Sequence, residues 1–214
     1  MNAHKLHQWR IRMEDEEEEE EEEKPQVDQN PAGMWAKKQE ELFFKNRNIY
    51  LWGPVEDKSA KDIVNRLLLL DADQPGKEIN FFINSPGGVV TSGLVIHDVM
   101  KMIQSPVSTI CMGLAASMGS ILLSAGTKGR RFIFPSGEVM IHQPSLGGYF
   151  RGVSADLEIH AIQIQKTKEL GAKILSENCG QPYDKVMKDL ERDYWMNAET
   201  AIEYGIVDGI MEKL

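Results

Sequence analysis

Apolar residues recur along this chain with two alternating periods, and the switches between them mark a series of strands and helices. Residues 48–52, with Ile49, Tyr50 and Leu51, read as a strand stopped by Gly53-Pro54. Over 59–70 the period becomes helical, with Ile63, Leu67 and Leu70 on one stripe. A second strand over 78–84 ends at Ser85-Pro86-Gly87-Gly88, and a helix is predicted over 91–104. A third strand over 107–112 runs into a turn of small residues, with a helix starting at Ser117. Strands are predicted at 131–134 and 138–142, a long helix at 156–178, a helix at 197–204 and a strand at 206–211. Ahead of them, 35–44 reads as a short amphipathic helix. Such alternation implies right-handed βαβ crossovers, hence an α/β fold with a mostly parallel sheet. The long helix is unusual: Leu157, Ala161 and Ile164 line one side while Ile159 and Ile162 point elsewhere. One buried stripe would not need both faces, so a second packing surface is expected.

Charge separates the start of the chain from the rest. Ten consecutive acidic residues run from Glu14 to Glu23, and residues 1–30 carry eleven acids against four bases. The net charge of −9 therefore describes mainly this segment. Repulsion within the run, followed by Pro25 and Pro31, predicts an open tail over 1–33 and a folded domain over 34–214. No apolar run approaches the roughly 20 residues of a membrane-spanning helix, and the first residues lack the apolar stretch of a secretory signal. Without a basic stripe carrying interleaved aromatics, nucleic-acid binding is not expected. Cys111 and Cys179 have no metal-ligand spacing, so no metal site is expected, and they fit a reducing cytoplasm.

The candidate chemistry starts at Met112-Gly113-Leu114-Ala115-Ala116-Ser117-Met118-Gly119-Ser120. A strand, a turn of small residues and a helix opening at serine resemble the elbow that presents a nucleophile in serine hydrolases. Free N–H groups at the helix start, Met118 among them, can hold a developing oxyanion. The Gly87-Gly88 pair allows a second close backbone approach, although an ordinary turn would use the same residues. Of the five histidines, His142 stands at a strand-to-loop edge, where active-site groups gather. His4 and His7 lie in the tail, and His97 and His160 within helices. Asp156, Asp189, Asp193 and Asp208 are all candidates for the orienting carboxylate, and spacing does not rank them.

At these motifs the chain strongly resembles the ClpP family, the proteolytic subunits of Clp proteases. The resemblance is carried by VED at 55–57, INSPGG at 83–88, STICMGLAASMGS at 108–120, VMIHQP at 139–144, ERD at 191–193 and AIEYGIVDGI at 201–210. It implies a crotonase/ClpP-like fold of repeated ββα units with a projecting long helix. It also implies a serine endopeptidase that cuts unfolded proteins, with Ser117 as nucleophile, His142 as base and acid, and Asp193 as orienting carboxylate. Gly88 and Met118 match the oxyanion-hole positions. Leu146, Gly147 and Gly148 match the strand that pairs with an extended substrate. Phe82, Met102, Phe132 and Phe134 match the cleft that receives an AAA+ unfoldase, although Asn80 stands there where an aromatic is common. Arg192 matches a contact between two stacked heptameric rings, which would give the two-sided helix its second surface. The chain lacks a G-x-x-x-x-G-K-[ST] loop, so no cofactor is expected on it and ATP hydrolysis would belong to the unfoldase. Two other classes fit parts of the pattern: a ring subunit without its own activity, and a crotonase-fold enzyme acting on acyl thioesters. The presence of all three triad residues argues against the first, and the Ser117/His142 pair against the second.

Overall fold

A computed structural model describes residues 31–145 and 152–213. The first helix, α1 (Pro31–Lys45), contains the Gln39/Glu40 boundary at which the chain divides into two compact units. Residues 31–33, expected in the open tail, are the first turn of this helix. Proline there is preorganised for helix, and its missing N–H would have no partner in any case. The acidic run lies outside the described residues.

From Glu40 onward strands and helices alternate. They are β1 (Asn48–Trp52), α2 (Asp57–Asp73), β2 (Ile79–Ser85), α3 (Val90–Met102), β3 (Val107–Ala116) and α4 (Met118–Ser124). After them come β4 (Arg131–Ile133), β5 (Glu138–Ile141), α5 (Ser154–Cys179), α6 (Tyr183–Asp189), β6 (Tyr194–Met196), α7 (Ala198–Tyr204) and β7 (Gly209–Ile210). The parallel sheet runs β1-β2-β3-β4-β7, and β5 joins the end of β3 and pairs antiparallel with β6. The result is the mixed α/β fold expected from the alternation, with the long helix that the resemblance implies. The periodicity missed two elements, α6 and β6, and the second of these matters for the site.

Strand β2 is buried on both faces, as central parallel strands are. Its Ile79, Phe81 and Ile83 join Ile49 and Leu51 of β1, Ile63, Leu67 and Leu70 of α2, and Ile96 of α3 in one core. Each such side chain contributes roughly 1.5–3 kcal/mol by leaving water. Helix α5 behaves differently: its buried residues are Ala172, Ile174 and Leu175, all in its last third. Its first two thirds project, leaving Leu157, Ile159 and Ile162 about half exposed or more. Among the described residues, no helix is long and apolar enough to cross a membrane.

Candidate active site

Strand β3 delivers the serine by changing partners along its length. Thr109 to Cys111 pair with β4, whereas Leu114 to Ala116 pair with β5. Asn84 marks the switch, its side-chain oxygen accepting from the Leu114 N–H at 3.1 Å. The chain then turns abruptly at Ser117, whose φ of 52° and ψ of −121° are uncommon for a residue with a Cβ. Such a backbone costs about 1–3 kcal/mol and persists only where its surroundings enforce it. Here the Ser117 N–H donates to Met140 O at 2.9 Å. Its carbonyl accepts from the Ser120 hydroxyl at 2.6 Å and the Ser120 N–H at 3.0 Å. Buried Ala115 and Ala116 leave room for the turn.

His142 and Asp193 come together through the β5–β6 ladder. Ile141, the last residue of β5, is the register partner of Tyr194, the first of β6. The residues just beyond that pair, His142 and Asp193, consequently stand opposite each other. His142 Nδ1 lies 3.1 Å from Asp193 Oδ1, and Nε2 lies 3.0 Å from Ser117 Oγ. Gln143 holds the approach to Asp193, donating its N–H to Leu190 O at 2.7 Å and its side-chain amide to Glu191 O at 2.9 Å. The other three aspartates are engaged elsewhere or remote. Asp189 accepts from the Tyr204 hydroxyl and pairs with Lys185, Asp208 pairs with Arg131, and Asp156 sits in the first turn of α5.

The Gly87-Gly88 turn lies against this elbow. A Cβ on Gly87 would stand 2.6 Å from Ser117 Cβ and 2.8 Å from Met118 N, so no other residue fits without movement. Gly88, with φ of 150°, is bridged to Val55, and a Cβ there would meet Val55 O at 2.2 Å. Met118 opens α4, where a helix leaves its N–H without an intrahelical partner. An apolar cleft bordered by Val90, Leu94, Ile121, Pro144 and Leu175 leads to Ser117 and His142. Gly171 of α5 also lines it, and a Cβ there would meet only Ile121 at an ordinary 3.7 Å.

This arrangement can pass a proton from a hydroxyl to an imidazole held in one tautomer by a carboxylate, beside backbone donors and an apolar cleft. Neither cysteine competes as nucleophile, since burial pushes both thiols up to about 12 and keeps them protonated near neutrality.

The family model for Clp protease matches residues 32–214, well over half of the chain. The chain belongs to the Clp protease family. Membership makes it a ClpP-type peptidase of the serine class.

Other positions that the resemblance singles out in this Clp protease chain are distributed as follows. Leu146, Gly147 and Gly148 lie outside the described residues. Phe82 and Phe132 fall in one row across the sheet, because Tyr50 pairs with Phe82, Phe82 with Ile110, and Ile110 with Phe132. Tyr50, which the sequence reading did not include, stacks on Phe82 at 4.9 Å between ring centroids. Phe134 follows β4 and is half-buried, and Met102 ends α3 with 82% of its surface exposed. Arg192 is exposed beside Asp193. Sequence reasoning gave no site role to Gly87 separately from Gly88, or to Val55, Asp57 and Ser92. The double glycine and the Val55-Glu56-Asp57 motif were the signals available for them.

Proposed function

We propose that this chain is the proteolytic subunit of an ATP-dependent Clp protease, a serine endopeptidase with Ser117, His142 and Asp193 as its triad. The observation that carries the reading is the continuous relay from Ser117 Oγ through the imidazole to Asp193, with both contacts near 3 Å. In the reaction, Ser117 Oγ attacks the scissile carbonyl while His142 Nε2 takes its proton. The tetrahedral oxyanion is held by the N–H groups of Gly88 and Met118. His142 then returns the proton to the leaving amine, and the C–N bond breaks to give an acyl-Ser117 ester. A water molecule, deprotonated by the same imidazole, hydrolyses that ester. Asp193 fixes the tautomer and stabilises the imidazolium without taking the proton itself.

The same reading assigns the extended substrate to Leu146, Gly147 and Gly148 by backbone pairing. It gives the projecting part of α5, with Leu157, Ile159 and Ile162 exposed, to contact between two heptameric rings, with Arg192 at that contact. Phe82, Met102, Phe132 and Phe134 receive an AAA+ unfoldase, which hydrolyses ATP and feeds unfolded proteins into the chamber. The chain itself uses no cofactor, and the compartment is the cytoplasm.

The test is hydrolysis of a short fluorogenic peptide by the purified full chain, compared with Ser117→Ala and His142→Ala. Activity in the wild type, lost in both variants, is the expected result. Equal activity in all three would overturn the assignment of the triad.

A further inference from the structure

The Val55-Glu56-Asp57 motif has no part in the relay, yet Val55 is bonded to the loop beside Ser117 and Asp57 to the helix that follows it. Beyond β1 the chain continues alongside residues 84–89. Gly53 N–H donates to Asn84 O at 2.9 Å, Val55 N–H donates to Gly87 O at 2.8 Å, and Val89 N–H donates to Val55 O at 2.8 Å. The two bonds from Val55 flank Gly88 on either side, and Val55 itself is 1% exposed. This short parallel strap fixes the peptide planes before and after Gly88, and so the direction of the Gly88 N–H.

Both ends of the strap are anchored. The Ser59 hydroxyl accepts from the Glu56 N–H at 3.0 Å and lies 3.1 Å from Pro54 O, which stiffens the entry to α2. On the other side, the Ser92 hydroxyl donates to Asp57 Oδ1 at 2.5 Å, joining the first residue of α2 to the first turn of α3. Ser92 is buried while Asp57 is exposed, so the bond runs from the packed face of α3 to the solvent side of α2. Its neighbour Gly93 packs so closely on the Met118 side chain that a Cβ would lie 2.2 Å from the methyl carbon. One hydrogen bond therefore links the strap behind Gly88 to the turn of α3 that bears on Met118. Pulling the two helix starts apart would loosen the segments behind both backbone donors together.

We propose that Asp57 and Ser92 are positioning residues for peptide hydrolysis. Their hydrogen bond clamps the Val55 strap and thereby sets the two N–H groups that face the oxyanion. This rests on the reading of Ser117 as the nucleophile. A donor held at the oxyanion stabilises the transition state much more than the bound ground state, so a loosened donor lowers kcat more than it raises KM. Deleting a donor outright costs about 10²–10³ in kcat. Displacing one by a fraction of an ångström is expected to cost about tenfold.

The experiment uses the full chain, its Asp57→Ala, Ser92→Ala and Asp57→Asn variants, and Asp62→Ala as a control. Asp62 pairs with Arg66 further along α2. The measurements are kcat and KM for a fluorogenic peptide and the affinity of a peptide boronate, which forms a tetrahedral adduct on the serine. Expected for Asp57→Ala and Ser92→Ala is a roughly tenfold fall in kcat, little change in KM and a parallel loss of boronate affinity. Asp57→Asn, which keeps an acceptor for Ser92, should retain most of the activity, and Asp62→Ala should match the wild type. Unchanged kcat in both alanine variants, or a rise in KM alone, would overturn the proposal. An equal fall in Asp62→Ala would do the same, because it would show general softening of α2. A wild type that neither hydrolyses peptide nor binds boronate would instead remove the underlying serine-peptidase assignment.

Discussion

Ile141 and Tyr194 are antiparallel register partners, and that single pairing brings His142 and Asp193 to 3.1 Å of each other across 51 residues of sequence. The relay depends on it, because Asp193 is 60% exposed and has no buried pocket to hold its carboxylate. Ladder geometry and the two bonds from Gln143 do that work. Replacing Asp193 by Asn would keep the shape and allow the wrong imidazole tautomer. Peptidase kcat should fall on the order of 10²–10⁴-fold, while Asp156→Asn, in the first turn of α5, stays within about twofold of the wild type on the same assay. Comparable losses in the two variants would contradict the assignment of the orienting group.

Gly87 gives a second prediction. Its φ of 89° and the 2.6 Å separation between an added Cβ and Ser117 Cβ leave alanine both strained and overlapping. Gly87→Ala should destabilise the fold by about 1–3 kcal/mol. It should also lower kcat more than tenfold, because the elbow must move to make room. Gly129, also at positive φ, has nothing within 4 Å of an added Cβ. Gly129→Ala should therefore show a modest stability loss with normal kcat. Thermal melting and peptide kinetics on the two variants separate strain from site distortion.

Acid stability should depend on Asp208. Burial raises its pKa, but hydrogen bonds and charge from Arg131, with further bonds from the Arg131 and Gly129 amides, outweigh burial and hold it below the ordinary carboxylate value. A carboxylate lowered in the folded state contributes stability that is fully present above its unfolded pKa, about 3.9. That contribution is lost as pH falls through the lower folded value. The wild-type melting temperature should thus drop below about pH 4. Asp208→Asn should start lower near neutrality, by on the order of 3 kcal/mol for a largely buried pair, and lose less on acidification. Because the pair ties β4 to β7 and, through Arg131 to Asn178 O, to the end of α5, folding should suffer while kcat of the folded fraction does not.

Much of the frame was legible from pattern alone, for a physical reason. The buried centre of β2 is the apolar run Phe81-Phe82-Ile83, and Ile63, Leu67 and Leu70 of α2 are all buried as their helical spacing predicts, although Leu68 and Leu69 beside them stay exposed. The candidate nucleophile stood out only as an elbow-like serine: the small residues around Ser117 fit a sharp turn, and the resemblance supplied its role. The carboxylate did not stand out. Strand β6 has only three residues, Tyr194 and Trp195 are exposed, and Met196 alone is buried, so no alternation marks it. Without β6 nothing places Asp193 opposite His142, and four aspartates remained equal until the family resemblance ranked them. The strap at Val55 was hidden for a related reason: it acts through backbone bonds, which leave little trace in side-chain pattern. Pro31 misled in the opposite direction, since proline both opens helices and interrupts chains.

The central claim is that Ser117 is an activated nucleophile, and its most direct test is covalent. The purified full chain is treated with a fluorophosphonate, digested, and mapped by mass spectrometry beside Ser117→Ala and His142→Ala. The account predicts one phosphonylated serine, Ser117, with no adduct in Ser117→Ala and labelling slowed by orders of magnitude in His142→Ala. An adduct on another serine that survives Ser117→Ala, or an assembled wild type that takes no label, would contradict it.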